Sequence, residues 1–404
     1  MIHHLLLTPR DPLIARDGRP FGADSGRRMR CLDWLPPSVT AGTLRTALGK
    51  LHGQGFGSPV LYELKRLQFA GPFPYTDQLY FPAPDDCVVR GTDEKCFALR
   101  PEAIPQHEGT SLPPSLQPVV LPVNDVTSFK YGQVPPWWSS QAYVDWLTLP
   151  NGPPPGYLGS GSHFLASPSR DERWHVEIDP SRLAAADERL FATSGLEMDF
   201  MKDTAGQLHR VRLAVRAAGE GLFATYLSSL NGLHTLGGER RLVHGQTPVG
   251  DGQRELEVAW ACPQAIKDAL ASRTKVRMVL VSPAVFAEGW RPAWLTKTAT
   301  GWMGSPPGSG SPPVGLRLVG MCNRRWQAVS GYSLEAGRVG PKVVRRGTPA
   351  GAVFFFEVVS GEAVDLARLW LRPVSDIMHR SHNGTSCEYD DGSDGFGLAV
   401  WGIW

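Results

Sequence analysis

Apolar positions along the chain recur in short strand-like runs, and helix-like spacings lie between some of them. The spacing predicts helices over 40–50 and 139–147. It predicts strands over 2–7, 64–70, 78–83, 173–178, 209–217, 254–261, 275–282, 315–321 and 351–359. Helices and strands mixed in this way predict an α+β fold in two halves that divide near residue 205.

The run 209–217 alternates strictly. Three apolar residues (Val211, Leu213, Val215) alternate with three arginines and an alanine (Arg210, Arg212, Ala214, Arg216). Because successive side chains of a strand point to opposite faces, the run predicts a half-buried strand with a basic outer face.

Two segments rich in proline or glycine interrupt the pattern. Residues 101–156 contain 12 prolines and the pair Trp137-Trp138, which predicts an extended insertion around the helix at 139–147. Residues 303–313 (MGSPPGSGSPP) predict a flexible loop.

Composition narrows the class of protein. The 404 residues are 42% apolar and 20% charged, with a formal net charge of +2, so a site for a polyanion must be local. The six cysteines (31, 87, 96, 262, 322, 387) form no CxxC pair, which favours free thiols in a reducing cytoplasm. The N-terminal MIHHLLLTPRD predicts neither a signal peptide nor a membrane span.

The loop after the first strand carries the strongest chemical signal. Residues 10–30 hold six arginines (10, 16, 19, 27, 28, 30) against three aspartates, with glycines at 18, 22 and 26. A helix follows at Pro36-Pro37, with Ser38 or Thr40 as its expected cap. Glycines, arginine forks and free amides at a helix start suit phosphate, although a solvated surface loop has a similar composition.

Three further segments are candidates for the same chemistry. GRVGPKVVRRGTPAG (337–351) carries four cations and no acid before the strand 351–359, and LGGERRLV (236–243) places two glycines before Glu239-Arg240-Arg241. The tail DGSDGFGLAVWGIW has GxG before an apolar strand rather than a helix, which excludes a dinucleotide fold but allows a close backbone approach or a hairpin turn.

The sequence gives only weak signals for metal binding, acid–base catalysis and base stacking. His379, His382 and Cys387 have near-metal spacing but lack a fourth ligand, so we predict neither a metal nor another cofactor. His3 or His4 could serve in acid–base cleavage of RNA, although a structural role is the more common use of such residues. Trp137-Trp138 could stack bases, but a core or subunit interface is favoured in so proline-rich a stretch.

Seven segments together resemble the third subunit of the type III-B (Cmr) CRISPR effector complex, a member of the RAMP superfamily. In order they are TPRDPLIARDGRPFGADSGRRMRCLDWLPPSVTAGTLRTALG, FAGPFPYTDQLYFPAPDD, WHVEIDPSRLAAADERLFATSGL, LGGERRLV, LVSPAVFAEGWRPAWL, KVVRRGTPAGAVFFFEV and DGFGLAVWG.

The resemblance implies two ferredoxin-like, RRM-related βαββαβ domains, at 1–205 and 206–404, with long loop insertions and a C-terminal Gly-rich loop. It also implies a non-catalytic subunit that binds the 5′ handle of the CRISPR RNA (crRNA). The implied neighbours are the large polymerase-like subunit and the adjacent RAMP backbone subunits, with target RNA contacted indirectly and no membrane.

Carried onto this sequence, the resemblance implies an RNA-binding set in four groups. These are Arg16, Gly18, Arg19, Gly22, Arg27, Arg28 and Arg30; Ser38, Thr40 and Arg45; Gly237, Gly238, Arg240 and Arg241; and Lys342, Arg345, Arg346, Gly395 and Gly397. The proline-rich insertion, the 303–313 loop and the acidic stretch 379–394 depart from the family pattern.

The leading hypothesis is therefore a non-enzymatic RNA-binding subunit. Two alternatives stay open: a metal-independent endoribonuclease that processes crRNA precursor, with His3 or His4 as its acid–base group, and a protein-binding scaffold without direct RNA contact.

Overall fold

The computed structural model describes residues 1–17, 27–53, 56–91, 95–105, 107–113, 115–121, 130–149, 157–159, 161–333, 339–382 and 385–404. At residues 27, 58, 157, 378–382 and 385–389 it describes the backbone alone.

Seven α-helices lie in these ranges. They are α1 (Pro37–His52), α2 (Ser58–Lys65), α3 (Ser140–Thr148), α4 (Leu222–Thr225), α5 (Asp251–Trp260), α6 (Gln264–Leu270) and α7 (Asp391–Asp394). Short 3₁₀ turns cover Tyr157–Gly159, Gly161–His163, Tyr226–Ser229, Gly238–Arg240 and Ala363–Leu369.

Five antiparallel strands form the first sheet: β1 (Ile2–Pro9), β2 (Gln68–Tyr75), β3 (Arg212–Ala218), β4 (Gly232–Thr235) and β5 (Leu242–Gln246). Their spatial order is β4-β5-β1-β3-β2, with Leu5 opposite Val215 and Thr8 opposite His244. Because β3–β5 belong to this sheet, the chain passes from the first sheet to the second after residue 246 rather than near 205.

Seven antiparallel strands form the second sheet: β6 (Lys275–Leu280), β7 (Thr296–Thr298), β8 (Gly301–Gly304), β9 (Gly315–Cys322), β10 (Val353–Ser360), β11 (Arg372–Pro373) and β12 (Leu398–Ile403). Their order is β7-β8-β9-β10-β6-β12-β11. The strands β6, β10 and β12 at its centre are rich in buried apolar residues, so this sheet holds much of the core.

Smaller sheets surround these two. A long hairpin pairs Ser169–Asp179 with Ala184–Glu197, and the short strand Arg27–Arg28 joins it in parallel. A three-stranded sheet has the order Ala284–Val285, Arg345–Thr348, Gln327–Val329. The other short strands are Tyr80–Pro82, Cys87–Val89, Cys96–Ala98, Arg100–Pro101, Val119–Val120, Trp137–Ser139, Phe164–Leu165, Phe200–Lys202, Leu208–Arg210, Tyr332–Ser333, Gly340–Pro341, Ile377–His382 and Thr385–Asp390.

The first sheet is covered on both faces. On one face, Leu5 and Leu7 pack in a core with Leu44 and Leu48 of α1. On the other, Leu6 belongs to a core that continues through α5 into the second sheet. The two halves therefore share apolar packing.

This packing corrects the prediction of a basic outer face on 209–217. Arg216 of β3 points towards the second half, where its guanidinium donates to the carbonyl oxygen of Leu371 at 2.7 Å and lies 5.0 Å from the ring centroid of Trp260. Burial lowers the pKa of Arg216 to about 10, and the charge of Arg372 adds to this. At Arg216 the face is an inner one because the second half covers it, whereas Arg210 is exposed as predicted.

One predicted strand, 254–261, is the helix α5 instead. The alternation of Leu256, Val258 and Trp260 indicated a strand, but Leu256 and Trp260 are also four residues apart and share a helix face. These two are buried, whereas Val258 is 75% exposed. The predicted strand 64–70 begins inside α2 and overlaps the observed strand β2 only at its end, while the other predicted elements lie within a few residues of observed ones.

The proline-rich insertion packs on the second half. Gln117 donates its backbone N–H to Val319 of β9 at 2.7 Å, and Trp138 is fully buried. Ser139 caps α3 by accepting from the N–H of Ala142 at 3.2 Å. Within the ranges described, no helix is long and apolar enough to cross a bilayer.

Candidate nucleic-acid interface

The loop after β1 leaves the sheet as one arm and returns as a second arm beside it. The N–H of Leu32 donates to the carbonyl of Ala15 at 2.7 Å, and the N–H of Asp17 to Arg30 at 3.3 Å. The returning arm also pairs with the long hairpin, since the N–H of Met29 donates to Ala192 at 2.9 Å. Both arms are therefore fixed at the base of the loop.

The arginines at the base of this loop are open to solvent. Arg16, Arg28 and Arg30 are all exposed. Of the other predicted residues here, Gly18, Arg19 and Gly22 lie outside the described residues, and of Arg27 only the backbone is described.

The second predicted segment, LGGERRLV, meets this loop. The N–H of Gly238 donates to the carbonyl oxygen of Ile14 at 2.7 Å. At Gly237, φ is 79° and a Cβ would lie 2.4 Å from that same oxygen. Only glycine allows this approach, so two of the predicted segments are in contact because of it.

The two arginines that follow, Arg240 and Arg241, differ in their exposure to solvent. Arg240 is exposed and has a left-handed φ of 52°, next to Glu239 at 55°. Arg241 is mostly buried, and its guanidinium donates to Glu239 Oε2 at 3.0 Å. We call Arg16, Arg28, Arg30 and Arg240 the basic margin.

The start of α1 differs from its prediction. The N-cap is Pro36, whose ring has no hydrogen-bond acceptor, rather than Ser38 or Thr40. Ser38 is half-buried inside the first turn, and Thr40 is buried. Thr40 packs in the interior, which removes it from the expected border of an RNA site.

Arg45 and Arg345 are structural arginines. Arg45 of α1 pairs with Asp394 and donates to the carbonyls of Leu64 and Leu67, both at 3.0 Å. Arg345, 3% exposed, pairs with Asp391. We call these two ion pairs the tail clamp. Their guanidinium groups are engaged by carboxylates, which counts against the prediction that they belong to the RNA-binding set.

Burial of the tail clamp changes the pKa of its Asp391 carboxyl group. Loss of hydration raises the pKa of Asp391, while the charge of Arg345 and a hydrogen bond from it act in the opposite direction. A carboxylate in such surroundings is stable as an anion only beside its partner.

The glycines of the tail serve packing within the chain. At Gly395, φ is 101° and a Cβ would lie 3.0 Å from the carbonyl oxygen of Phe69 in β2. At Gly397, φ is 78° and a Cβ would lie 2.5 Å from Ser375 Oγ. Both approaches are to this protein's own atoms, which accounts for the two glycines without the predicted contact with RNA.

The basic segment 337–351 divides its charges between two faces. In the strand Arg345–Thr348, Arg345 points inward to Asp391 and Arg346 is exposed, as alternation requires. The Arg346 guanidinium lies 5.2 Å from the ring centroid of Trp326, and Lys342 is half-buried.

The aromatic residues open to a ligand are not the predicted pair. Trp137 and Trp138 are buried core residues. Trp174 on the long hairpin is 54% exposed and lies 5.1 Å from the Arg28 guanidinium, and Trp326 is 48% exposed. Period-two spacing of apolar residues in the predicted strand 173–178 was the available signal for Trp174.

The histidines at the N-terminus are poorly suited to acid–base work. His4 is 5% exposed and packs near Trp260 under α5. Burial lowers its pKa to about 4, with Arg216 acting in the same direction and Glu257 against it. Burial also lowers the pKa of His3. A neutral, enclosed imidazole such as that of His4 cannot meet a scissile phosphate, which counts against a nuclease that uses His4 as its acid–base group.

The residues with near-metal spacing, His379, His382 and Cys387, have side chains that lie outside the described residues. Among the side chains that are described, no group of three His, Cys, Asp or Glu could hold a metal ion.

Comparison with known proteins identifies the family. A family model described as "CRISPR-associated protein (Cas_Cmr3)" matches residues 5–404. No curated protein matches the chain.

Solved structures with a similar chain include a cryo-EM structure of the type III-B Cmr-beta bound to cognate target RNA. The two chains are 14% identical with a TM-score of 0.46, and the match covers 87% of this chain and 86% of that one. The same complex with target RNA and AMPPnP gives 12% identity and the same TM-score of 0.46, again over 87% and 86%. A crystal structure of the Csm3–Csm4 subcomplex of the type III-A interference complex gives 10% identity, a TM-score of 0.35, and coverage of 89% and 94%. Since the family model covers nearly the whole chain, the protein belongs to the Cas_Cmr3 family of CRISPR-associated proteins, the family that its seven motifs predict.

Proposed function

We propose that this protein is a non-catalytic RNA-binding subunit of a type III-B CRISPR effector complex, which holds the 5′ handle of the crRNA and docks the large polymerase-like subunit. Its other proposed neighbours are RAMP backbone subunits, with target RNA contacted only indirectly, in the cytoplasm.

Two ferredoxin-like domains are part of this proposal. The series β1-α1-β2-β3-α4-β5 follows the βαββαβ pattern, and its spatial order β5-β1-β3-β2 is the order expected for that topology. In the second half, the order β9-β10-β6-β12 is the same sequence of positions viewed from the other edge. There, residues 281–314 supply β7 and β8 where the first helix of the pattern would lie.

The contact of Gly237 and Gly238 with Ile14 is the observation that carries the proposal. It brings two basic segments that are more than 200 residues apart in sequence to the same edge of the first sheet, beyond β1. Arginines that present their forks to solvent around a fixed backbone suit the phosphates of an irregular single strand.

Trp174 adds a second kind of contact to this edge. An exposed indole beside Arg28 offers a flat surface for an unpaired base next to a cation for its phosphate. Single-stranded RNA is recognised by this combination of stacking and charge.

Two measurements test the proposal. RNA that copurifies with the subunit complex is sequenced from its 5′ ends, and a common repeat-derived stretch is the expected result. The purified full chain is then titrated with a single-stranded RNA carrying that stretch and with a permuted sequence of the same composition. We expect about tenfold preference for the first, or roughly 1.4 kcal/mol. Heterogeneous 5′ ends together with equal affinities would reject handle binding.

A further inference from the structure

Trp326 lies at an exposed edge in the second half. It immediately precedes Gln327–Val329, the outer strand of the small sheet whose middle strand is Arg345–Thr348. Nearly half of its surface is open, at 48% exposure. The Arg346 guanidinium lies 5.2 Å from the ring centroid, within cation–π range. The indole is thus oriented by a neighbour while much of it stays accessible.

The charge around Trp326 is positive. Arg324 and Arg325 precede it in the chain and are exposed. Arg324 pairs with Asp85, at 2.6 Å between Nε and Oδ1, but Asp85 itself is 4% exposed, so the carboxylate faces inward and the guanidinium outward. Arg346 adds a third cation, with its guanidinium over one face of the ring.

We propose that Trp326 is a stacking platform for one unpaired nucleobase, with Arg346 and Arg325 contacting the adjoining phosphates. This site rests on the proposed RNA-binding function and extends it to a residue outside the motifs of the family resemblance. Single-stranded RNA is favoured over a protein partner because the charge around the indole is positive and an aromatic face accepts any base.

A matched control exists elsewhere on the surface. Tyr62 of α2 is 66% exposed and has the Arg66 guanidinium 5.9 Å from its ring centroid. This pair has the same chemistry, but Arg66 is balanced by Glu63 on the same helix. Tyr62→Ala therefore removes an arginine-flanked ring from a site that we do not assign to RNA.

The first test measures affinity for a short, fluorescein-labelled single-stranded RNA with the repeat-derived 5′ end. We expect Trp326→Ala to weaken binding about tenfold, as loss of one stacked base requires, and Trp326→Phe to stay within about threefold of wild type. Tyr62→Ala is expected to bind like wild type. Equal affinity of Trp326→Ala and wild type would overturn the proposal.

Salt dependence separates stacking from charge. Because stacking releases no counterions, Trp326→Ala should lower affinity by a similar factor at each salt concentration. Arg346→Ala should instead reduce the slope of log K against log salt by about 0.7, the value for one phosphate on a single strand. A slope change with Trp326→Ala that matches Arg346→Ala would contradict a stacking role.

A direct readout uses 2-aminopurine placed at one RNA position at a time. We expect one position whose fluorescence is quenched on binding, with the quenching lost in Trp326→Ala and retained in Trp326→Phe. Retained quenching at every position in Trp326→Ala would reject the site.

The outcomes separate the site from the function on which it rests. RNA binding by wild type with no effect of Trp326→Ala on affinity or quenching removes the site and leaves the proposed function intact. Absence of RNA binding by wild type removes both. Weakened assembly with partner subunits, with RNA affinity unchanged, would identify Trp326 as a protein contact and overturn the proposal.

Discussion

The basic margin and the tail clamp both consist of arginines that the sequence assigns to one RNA-binding set, but their guanidinium groups have different surroundings. The margin arginines lie at the base of the loop after β1 and in a 3₁₀ turn before β5, whereas Arg45 of the clamp lies within α1 and Arg345 begins a strand. In the margin, Arg28 and Arg30 are exposed. In the clamp, Arg345 is 3% exposed and Asp391 5% exposed. Local sequence therefore shows that a charge is present but does not show which way it points.

The partner of a clamp arginine is remote in the chain. Asp394 follows Arg45 by 349 residues, and Asp391 follows Arg345 by 46. A count of charges in a window cannot include such a partner. What distinguishes margin from clamp is thus the tertiary position of the acids, which leaves the first set of arginines exposed to solvent and pairs the second set within the fold.

The largest expected difference is between the neighbours Arg345 and Arg346. Arg345→Ala leaves the buried Asp391 carboxylate without its partner, and we expect a loss of about 3–5 kcal/mol in the free energy of unfolding. Arg346→Ala changes an exposed side chain and should stay within about 0.5 kcal/mol. Urea unfolding followed by tryptophan fluorescence measures both. Equal losses for the two variants would abolish the distinction between clamp and surface.

The next effect concerns His4, which lies in the packing between the two halves. Its folded-state pKa of about 4 is below the usual value of 6.5, so between those limits the unfolded chain binds the proton and the folded chain does not. His4 therefore costs stability as pH falls through that window, by about 3 kcal/mol in total.

His4→Phe keeps a ring beside Trp260 and removes the titration. We expect the variant to lose less stability than wild type between pH 7 and pH 4, measured as the difference of their unfolding free energies at each pH. A parallel pH profile for the two proteins would show that His4 is accessible to protons in the fold, as a margin residue would be.

Much of the fold follows from the sequence because its signals are local. The alternation in β3 and the apolar spacing of α1 gave elements close to those observed, at Arg212–Ala218 and Pro37–His52. The helix α5 was mistaken for a strand because residues 256, 258 and 260 fit both periods until burial selects one.

In the candidate site too, the sequence predicts features with a local signal and misses those that depend on tertiary contacts. The glycines at 237 and 238 were recognisable only as two glycines before a charged turn, and their close approach to Ile14 required the tertiary structure. Thr40, Arg345 and the tail glycines were assigned to RNA because nothing local reveals that this chain's own atoms surround them. Trp326 was missed because a single tryptophan after two arginines has no periodicity to mark it.

Gly237 lies where the turn that carries Arg240 contacts the loop after β1, and Gly221 provides a matched comparison for it. Gly237 and Gly221 have nearly the same backbone, with φ, ψ of 79°, −162° and 80°, −167°, in a region open essentially to glycine. A Cβ at Gly221 would meet only Glu63 Oε2 at 3.5 Å, whereas at Gly237 it would meet the Ile14 carbonyl at 2.4 Å.

Gly221→Ala thus measures the cost of the backbone conformation, and Gly237→Ala adds the collision with Ile14. We expect Gly237→Ala to lose about 1–2 kcal/mol more in the free energy of unfolding, and to weaken RNA binding as well. Equal losses, with RNA affinity preserved in both, would mean that the approach to Ile14 does not organise the margin.

The smallest expected effect is the loss of two margin charges. Arg28→Ala combined with Arg30→Ala removes two exposed guanidinium groups, so the free energy of unfolding should be unchanged within about 0.5 kcal/mol. Affinity for handle RNA should fall about fivefold, and the salt slope should flatten by about 1.4, which is the counterion release of two phosphates on a single strand. The control is Arg254→Ala with Arg273→Ala, an equal loss of charge at exposed positions of the second half. If both double variants flatten the slope equally, the RNA responds to net charge alone and the margin is not a site. If only Arg28→Ala with Arg30→Ala does so, the exposed arginines at one edge of the first sheet bind the RNA, whereas the clamp arginines are paired with carboxylates and do not contact it.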